Sequence, residues 1–227
     1  MTNQPQTTKD LFQKLPALAE NKTLREQFKD FVSVHQVYSA AIKEISTKLE
    51  ILNDEFRVRY NHNPIHHIES RLKTVDSMIA KLKAKGLELS LDSAAAHLND
   101  IAGVRVVCCY IDDIYHLAEL LLRQNDIELI AKKDYIQAPK PNGYRSLHLV
   151  VKIPIFLSDR TALTPVEIQI RTVAMDFWAS LEHSLRYKLK EEIPAGIDAE
   201  LLECSRSIAL IDNRMQDIFR RIQKEAK

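Results

Sequence analysis

The sequence predicts an α/β (α+β) fold: a mixed β-sheet flanked by helices, with long helices at both ends. Two patterns carry this. Apolar residues recur at helical spacing near both termini, and strand-like runs mix with helical ones between them. Size and composition agree. A chain of 227 residues, 45% apolar and 28% charged, suits one domain with helical extensions.

Residues 1–20 read as a loose segment, with the polar stretch Gln4 to Lys9. Residues 21–62 read as a helical region. There Leu24, Phe28, Phe31, His35, Tyr38, Ile42, Ile45, Leu49 and Leu52 keep a 4-3-4-3 spacing. Pro64 opens a second helix that closes at Gly86, with Ile68, Leu72, Val75, Ile79 and Leu82 as its apolar line. Gly103 to Tyr110 is a strand, and Asp112 and Asp113 start a helix through Leu122. Ile127 to Ala131 is a strand, Ala138 to Gly143 a turn, and Tyr144 to Ile153 another strand. Val166 to Arg171 is the last strand, and Thr172 caps a helix to about Lys190. Residues 191–227 hold a final helix carrying Ile208, Ile211, Met215, Ile218 and Ile222. Its seam fits packing on the sheet, a subunit contact, or both.

Several function classes fall away. A net charge of +1 gives no global field toward nucleic acid or an anionic membrane, so any basic site is local. No apolar run reaches the ~20 residues of a spanning helix, and no cationic stretch followed by an apolar core opens the chain. Three cysteines form no CxxC pair, so a reducing, cytoplasmic setting is expected. Gly86, Gly103, Gly143 and Gly196 are spaced wrongly for a P-loop or a GxGxxG turn. Phosphates would have to be held by side chains and metal.

Four clusters carry chemistry, each with a plainer reading beside it. Opposite the apolar line of the second helix stand Lys73, Ser77 and Lys81, with Lys85 beyond and Arg71 at the start. At about 6 Å per step the ladder can follow a triphosphate; a solvated lysine face is the plainer reading. Asp100 precedes the first strand and Arg105 lies in it. The acid suits Mg²⁺ and the guanidinium an anion or an aromatic plane; an ion pair between them is the plainer reading. Tyr144, Ser146 and His148 share a strand face, with Lys140 and Arg145 nearby. They can stack a base and reach a phosphate or ribose, or simply pack an edge strand. In "VEIQIR", aliphatic Val166, Ile168 and Ile170 alternate with Glu167, Gln169 and Arg171, so one strand face carries an acid, an amide and a guanidinium. Asp176 follows in the first helical turn, where a carboxylate can accept from guanine N1 and N2. A half-exposed strand is the plainer reading. Glu182 and His183 lie further down that helix. His62, His66 and His67 lack a Cys or Asp partner at ligand spacing and read as helix-start residues.

"NGYRSLHLVV" followed by "VEIQIRTVAMDFWASLEHSLRYK" resembles the synthetase domain of the RelA/SpoT family, over about Asn63 to Lys188. That family makes the alarmones ppGpp and pppGpp. The length and helical ends resemble its small alarmone synthetases, and "KPNGYRSLHLVV" is more similar to the RelP-type branch than to the RelQ-type.

The resemblance implies a nucleotidyltransferase-like core over residues 63–190 and a GTP diphosphokinase that moves pyrophosphate from ATP to the 3′-hydroxyl of GTP or GDP. The His-Asp dipeptide of the family's hydrolase domain does not occur, so synthesis alone is expected. By the same resemblance Arg71 and Arg105 sandwich adenine, and Lys73, Ser77 and Lys81 hold the ATP phosphates, with Lys83 or Lys85 replacing an arginine of relatives. Asp100 and Glu167 ligate Mg²⁺, and Glu167 helps deprotonate the acceptor. Tyr144 stacks on guanine, which Asp176 reads, while Lys140, Arg145 and His148 contact the guanosine phosphates and Gln169 orients the acceptor. A homotetramer using residues 191–227 and a second activity in binding single-stranded RNA are implied as well. Two rivals stay open: a toxic relative that makes the adenosine analogue or pyrophosphorylates tRNA, and a non-catalytic nucleotide- or RNA-binding module. The Asp100 and Glu167 pair argues against the second, since binding alone needs no metal pair.

Overall fold

The computed structural model describes residues 22–60, 62–188 and 196–225. The loose start expected over residues 1–20 and the expected boundary at residue 190 lie outside them.

Eleven elements follow one another among the described residues: α1 (Lys22–Tyr60), β1 (Ile65–Leu72), α2 (Val75–Ala84), α3 (Leu91–His97), β2 (Ala102–Cys108), α4 (Ile111–Leu122), β3 (Glu128–Asp134), β4 (Leu147–Phe156), β5 (Thr161–Thr172), α5 (Val173–Lys188) and α6 (Ile197–Glu225). The five strands form one sheet in the order β1-β2-β5-β4-β3. Only β2 and β5 run parallel, so the sheet is mixed as expected.

The strand alternation of β5 comes from its sequence. Val166, Ile168 and Ile170 are fully buried, whereas Glu167 and Gln169 remain partly open. β4 alternates likewise, with Leu147, Leu149, Val151 and Ile153 inward. The aliphatic face is covered by α1, which crosses β1, β2, β4 and β5. Ala41, Ile45 and Leu49 of α1 have no exposed surface, and α4 adds Ile114, Leu117 and Leu121. Each such aliphatic side chain contributes ~1.5–3 kcal/mol of burial. One sheet face is thereby committed to the core, and the opposite face is left for polar groups.

One expectation is overturned. The helix read from Pro64 to Gly86 is two elements, because Ile65–Leu72 pairs antiparallel with β2 as an edge strand. His66 and His67 therefore sit on a strand rather than at a helix start, and their Nδ1 atoms lie 2.8 Å apart. The helix begins only at Val75, with Thr74 as its cap. Thr172 caps α5 as expected, accepting from the Met175 amide.

The C-terminal helix α6 meets the rest of the domain through polar groups and through Phe219, whose ring stacks on Tyr110 at 4.0 Å. Ser205, Asp212 and Gln216 are buried. Asp212 accepts from Thr172 Oγ1 at 2.7 Å, Gln216 accepts from the Asp112 amide, and Arg220 grips the Asp112 carboxylate. Ile211, Met215 and Ile222 of its apolar line stay exposed.

Candidate active site

The register of the sheet gathers the polar face into rows. Glu69, Arg105, Gln169 and His148 stand side by side across β1, β2, β5 and β4. One step along, Arg71, Gly103 and Glu167 form the next row. Gly103 places no side chain in that row, beside Arg71. The result is a cleft lined by Glu69, Ser70, Arg71, Gly103, Val104, Arg105, Glu167 and Gln169. A larger cavity of about 460 Å³ lies between α5 and α6, is almost wholly apolar, and is lined by none of the predicted site residues.

Five side chains beside the cleft close a ring of hydrogen bonds. Arg171 is 2% exposed, and its NH2 nitrogen donates to Tyr144 Oη at 3.2 Å and to Gln169 Oε1 at 2.7 Å. Gln169 Nε2 donates to Glu167 Oε2 at 3.1 Å. His148 bridges the other side, with Nε2 2.9 Å from Tyr144 Oη and Nδ1 3.3 Å from Glu167 Oε1. A carboxylate can only accept, so Nδ1 is the donor and Nε2 accepts from the phenol. Two donor routes thus run from Arg171 to Glu167, one through Gln169 and one through Tyr144 and His148. Burial pushes Glu167 up, but the His148 and Gln169 hydrogen bonds outweigh it and hold the carboxyl below its usual range. Asp100 is near enough for its charge to oppose that fall. Burial also pushes the Arg171 guanidinium below its ordinary value, partly offset by Tyr144.

Asp100 precedes β2 on the side where Ala102 and Gly103 face Val166 and Glu167. Its Oδ2 accepts from Lys73 at 2.9 Å and Lys81 at 2.6 Å. Burial raises the Asp100 pKa, and the two ammonium groups more than reverse this, leaving it below the usual value. Its Oδ1 is buried with no hydrogen-bond partner. That oxygen, and the mutual influence of the two carboxylates, fit a hard cation taking oxygen ligands. Among the described residues no group of three or more His, Cys, Asp or Glu side chains could hold a metal alone, so the donor set would need substrate oxygens to complete it.

The loop from Lys140 to Tyr144 is shaped by its own sequence. Gly143 has φ of +90°, which L side chains rarely adopt. The Tyr144 amide donates to Asn142 Oδ1 at 3.2 Å. Lys140 Nζ lies 4.8 Å from the Tyr144 ring centroid and 4.7 Å from that of Tyr135. Asp176, in the first turn of α5, faces Arg171 at 3.4 Å and Arg105 at 3.8 Å.

The chain has relatives in sequence and in fold. A family model for the region found in RelA / SpoT proteins matches residues 70–192. The chain belongs to the RelA/SpoT family. It is 42% identical over 201 residues to GTP pyrophosphokinase YwaC of Bacillus subtilis, covering 88% of this chain and 94% of that one. It is 35% identical over 187 residues to GTP pyrophosphokinase YjbM of the same organism, covering 82% and 87%. The crystal structure of small alarmone synthetase 2 from Bacillus subtilis superposes with a TM-score of 0.77 at 42% identity, over 85% of this chain and 99% of that one. Small alarmone synthetase 1 bound to its product pppGpp gives 0.79 at 34% identity, over 86% and 99%.

Within this RelA/SpoT member most of the expected residues converge. Arg71, Arg105, Glu167 and Gln169 line one cleft, Lys73 and Lys81 meet at Asp100, and Tyr144, His148 and Asp176 join the ring or face it. Ser77 instead sits in the first turn of α2, where its hydroxyl accepts from Thr74. Arg145 turns away from Tyr144 into a small cavity with Trp178, Ser205 and Asp212. Ser146 is buried, with its hydroxyl donating to the Ile170 carbonyl at 3.1 Å and also hydrogen-bonded to Tyr144. Sequence reasoning assigned no role to Arg171, Glu69 or Tyr135. Arg171 was visible in the polar alternation of β5. Glu69, which pairs with Arg105 at 3.0 Å, was hidden by reading its strand as a helix. Tyr135, edge-on to His148 at 5.2 Å, carried no signal.

Proposed function

We propose that this protein is a GTP pyrophosphokinase, transferring pyrophosphate from ATP to the 3′-hydroxyl of GTP or GDP to give pppGpp or ppGpp and AMP. The observation that carries the reading is the meeting on one sheet face of a guanidinium-lined cleft, a lysine-gripped carboxylate and a second carboxylate wired to an aromatic platform. Membership of the RelA/SpoT family and likeness to a synthetase bound to pppGpp support it.

The roles follow from the chemistry each group offers. Arg71 and Arg105 flank the cleft and suit the two faces of adenine. Lys73 and Lys81, with Ser77 nearby, suit the ATP phosphates, and phosphate oxygens would draw these ammonium groups from Asp100. Asp100 and Glu167 would hold Mg²⁺, which when bound neutralises phosphate charge. Tyr144 offers a ring to guanine and Asp176 an acceptor for its N1 and N2 hydrogens. Lys140 and His148 suit the acceptor phosphates, Arg145 by resemblance only, and Gln169 the orientation of Glu167 and the acceptor. As the 3′-oxygen bonds to the β-phosphorus, the bond from that phosphorus to the α,β-bridging oxygen breaks, the oxygen leaves on AMP with the electron pair, and the hydroxyl proton passes to Glu167.

A homotetramer is part of the proposal, supported by the exposed Ile211, Met215 and Ile222 of α6; binding of single-stranded RNA is expected from family likeness alone. Among the described residues no helix is long and apolar enough to cross a membrane, and a cytoplasmic setting is proposed. Incubation of labelled ATP with GTP, GDP, ATP or tRNA, followed by thin-layer separation, tests the reading. Labelled pppGpp and ppGpp with Mg²⁺ support it. Label on tRNA or on an adenosine product alone supports the toxic relatives instead.

A further inference from the structure

We propose that Asn142, held by Glu182 of α5, is the positioning residue that sets the acceptor-side platform Tyr144; this rests on the reading of Tyr144 as the guanine stack. Asn142 works with both ends of its amide. Oδ1 accepts from the Tyr144 backbone amide at 3.2 Å, and Nδ2 donates to Glu182 Oε1 at 3.1 Å. Glu182 is 9% exposed and is itself gripped by Arg186, which also reaches Asp198 at the start of α6. On the other side of the same loop, Ser205 of α6 donates to the Gly143 carbonyl at 2.6 Å.

The loop carries two of the expected acceptor contacts, Lys140 and Tyr144, yet contains no regular element of its own. Its backbone is closed only by the Gly143 amide on the Lys140 carbonyl and the Lys140 amide on the Tyr144 carbonyl. The attachments to α5 and α6 therefore hold the loop backbone, while the ring holds the Tyr144 hydroxyl. A side-chain amide that must accept on one end and donate on the other cannot be exchanged for a carboxylate without placing two carboxylates in contact. Tyr144 is in turn one corner of the ring that ends on Glu167. Asn142 thus ties the acceptor base to the C-terminal helices without touching substrate.

A reciprocal exchange tests this with the full chain. Asn142→Asp keeps the acceptor for the Tyr144 amide but faces the Glu182 carboxylate. It is expected to raise the KM for GDP about tenfold, the scale of one charged hydrogen bond, with the KM for ATP within about twofold. Adding Glu182→Gln to the same chain supplies an amide that can donate to the introduced carboxylate, and the double variant is expected to return the GDP KM to near its original value. Three results overturn the proposal: an unchanged GDP KM in Asn142→Asp, no recovery in the double variant, or a fall in Tm that raises both KM values together. Tyr144→Ala separates the two layers. If it leaves the GDP KM unchanged, the guanine-stack reading fails; if it raises that KM while Asn142→Asp does not, only the positioning role fails.

Discussion

Arg171→Met is the substitution that reaches furthest into this site. Arg171 is 2% exposed and serves Tyr144 and Gln169 from a single nitrogen, while a second nitrogen faces Asp176 at 3.4 Å. Met fills similar volume without a donor. Two buried charged hydrogen bonds are worth ~1.5–3 kcal/mol each. Removing Arg171 also recovers the cost of burying its charge, which offsets part of that loss. A net destabilisation of about 2 kcal/mol remains, or a Tm lower by about 4–8 °C. The kinetic effect is larger. Both donor routes to Glu167 start at Arg171, so Gln169, Tyr144 and His148 lose their common anchor. A drift of ~1 Å at a reacting group costs about 10²-fold, and that is the expected fall in kcat/KM for GDP, with ATP binding nearly unchanged. Arg171→Lys should not restore it, because one ammonium cannot span Tyr144, Gln169 and Asp176 as a planar fork does. Steady-state kinetics with each substrate varied, alongside thermal melts, measure all of this. A Met variant with wild-type GDP kinetics, or a fully active Lys variant, would refute the two-route argument.

Other perturbations separate the two carboxylates. Glu167→Gln keeps an acceptor for His148 but removes the base, so turnover should fall by about 10²-fold or more with the circular dichroism spectrum unchanged; near-normal turnover removes Glu167 from the chemistry. Asp100→Asn leaves Lys73 and Lys81 without their anion and should abolish Mg²⁺-dependent synthesis, read by titrating Mg²⁺ at fixed ATP; retained wild-type dependence removes Asp100 from the metal role. Acid should weaken the fold through the same pair. Both carboxyls are held below their ordinary values of 4.5 for Glu167 and 3.8 for Asp100. Their contribution is therefore complete above those values and lost as pH falls through the lower folded-state ones. Tm measured across the acid range should drop less steeply in Glu167→Gln than in the unchanged chain, and parallel curves would contradict this.

Much of the fold was legible because the core strands obey a two-residue period. Val166, Ile168 and Ile170 announce β5 and its polar opposite face before any partner is known. Ile65–Leu72 was misread for a physical reason. An edge strand with few buried residues shows no clean alternation, and Ile68, Leu72 and Val75 happen to suit a helical period. Pairing with β2 decides the matter, and a single chain read in order does not display pairing. Lys73 and Lys81 come together, but not as a helical ladder. They meet at Asp100 although Lys73 lies before the helix cap. The rows that place Arg71 across Gly103 from Glu167 depend on register alone, as does the ring closed by Arg171. The ring joins residues up to 27 positions apart and the paired residues of the rows are up to 64 apart, so neither has a local signature.

The most direct test of the central claim follows both transferred phosphates. ATP labelled separately at the β and γ positions is incubated with GDP and Mg²⁺, and the products are resolved. Attack on the β-phosphorus predicts that both labels arrive together on the guanosine product while unlabelled AMP is released. Transfer of the γ label alone, with ADP as the leaving product, would contradict the account.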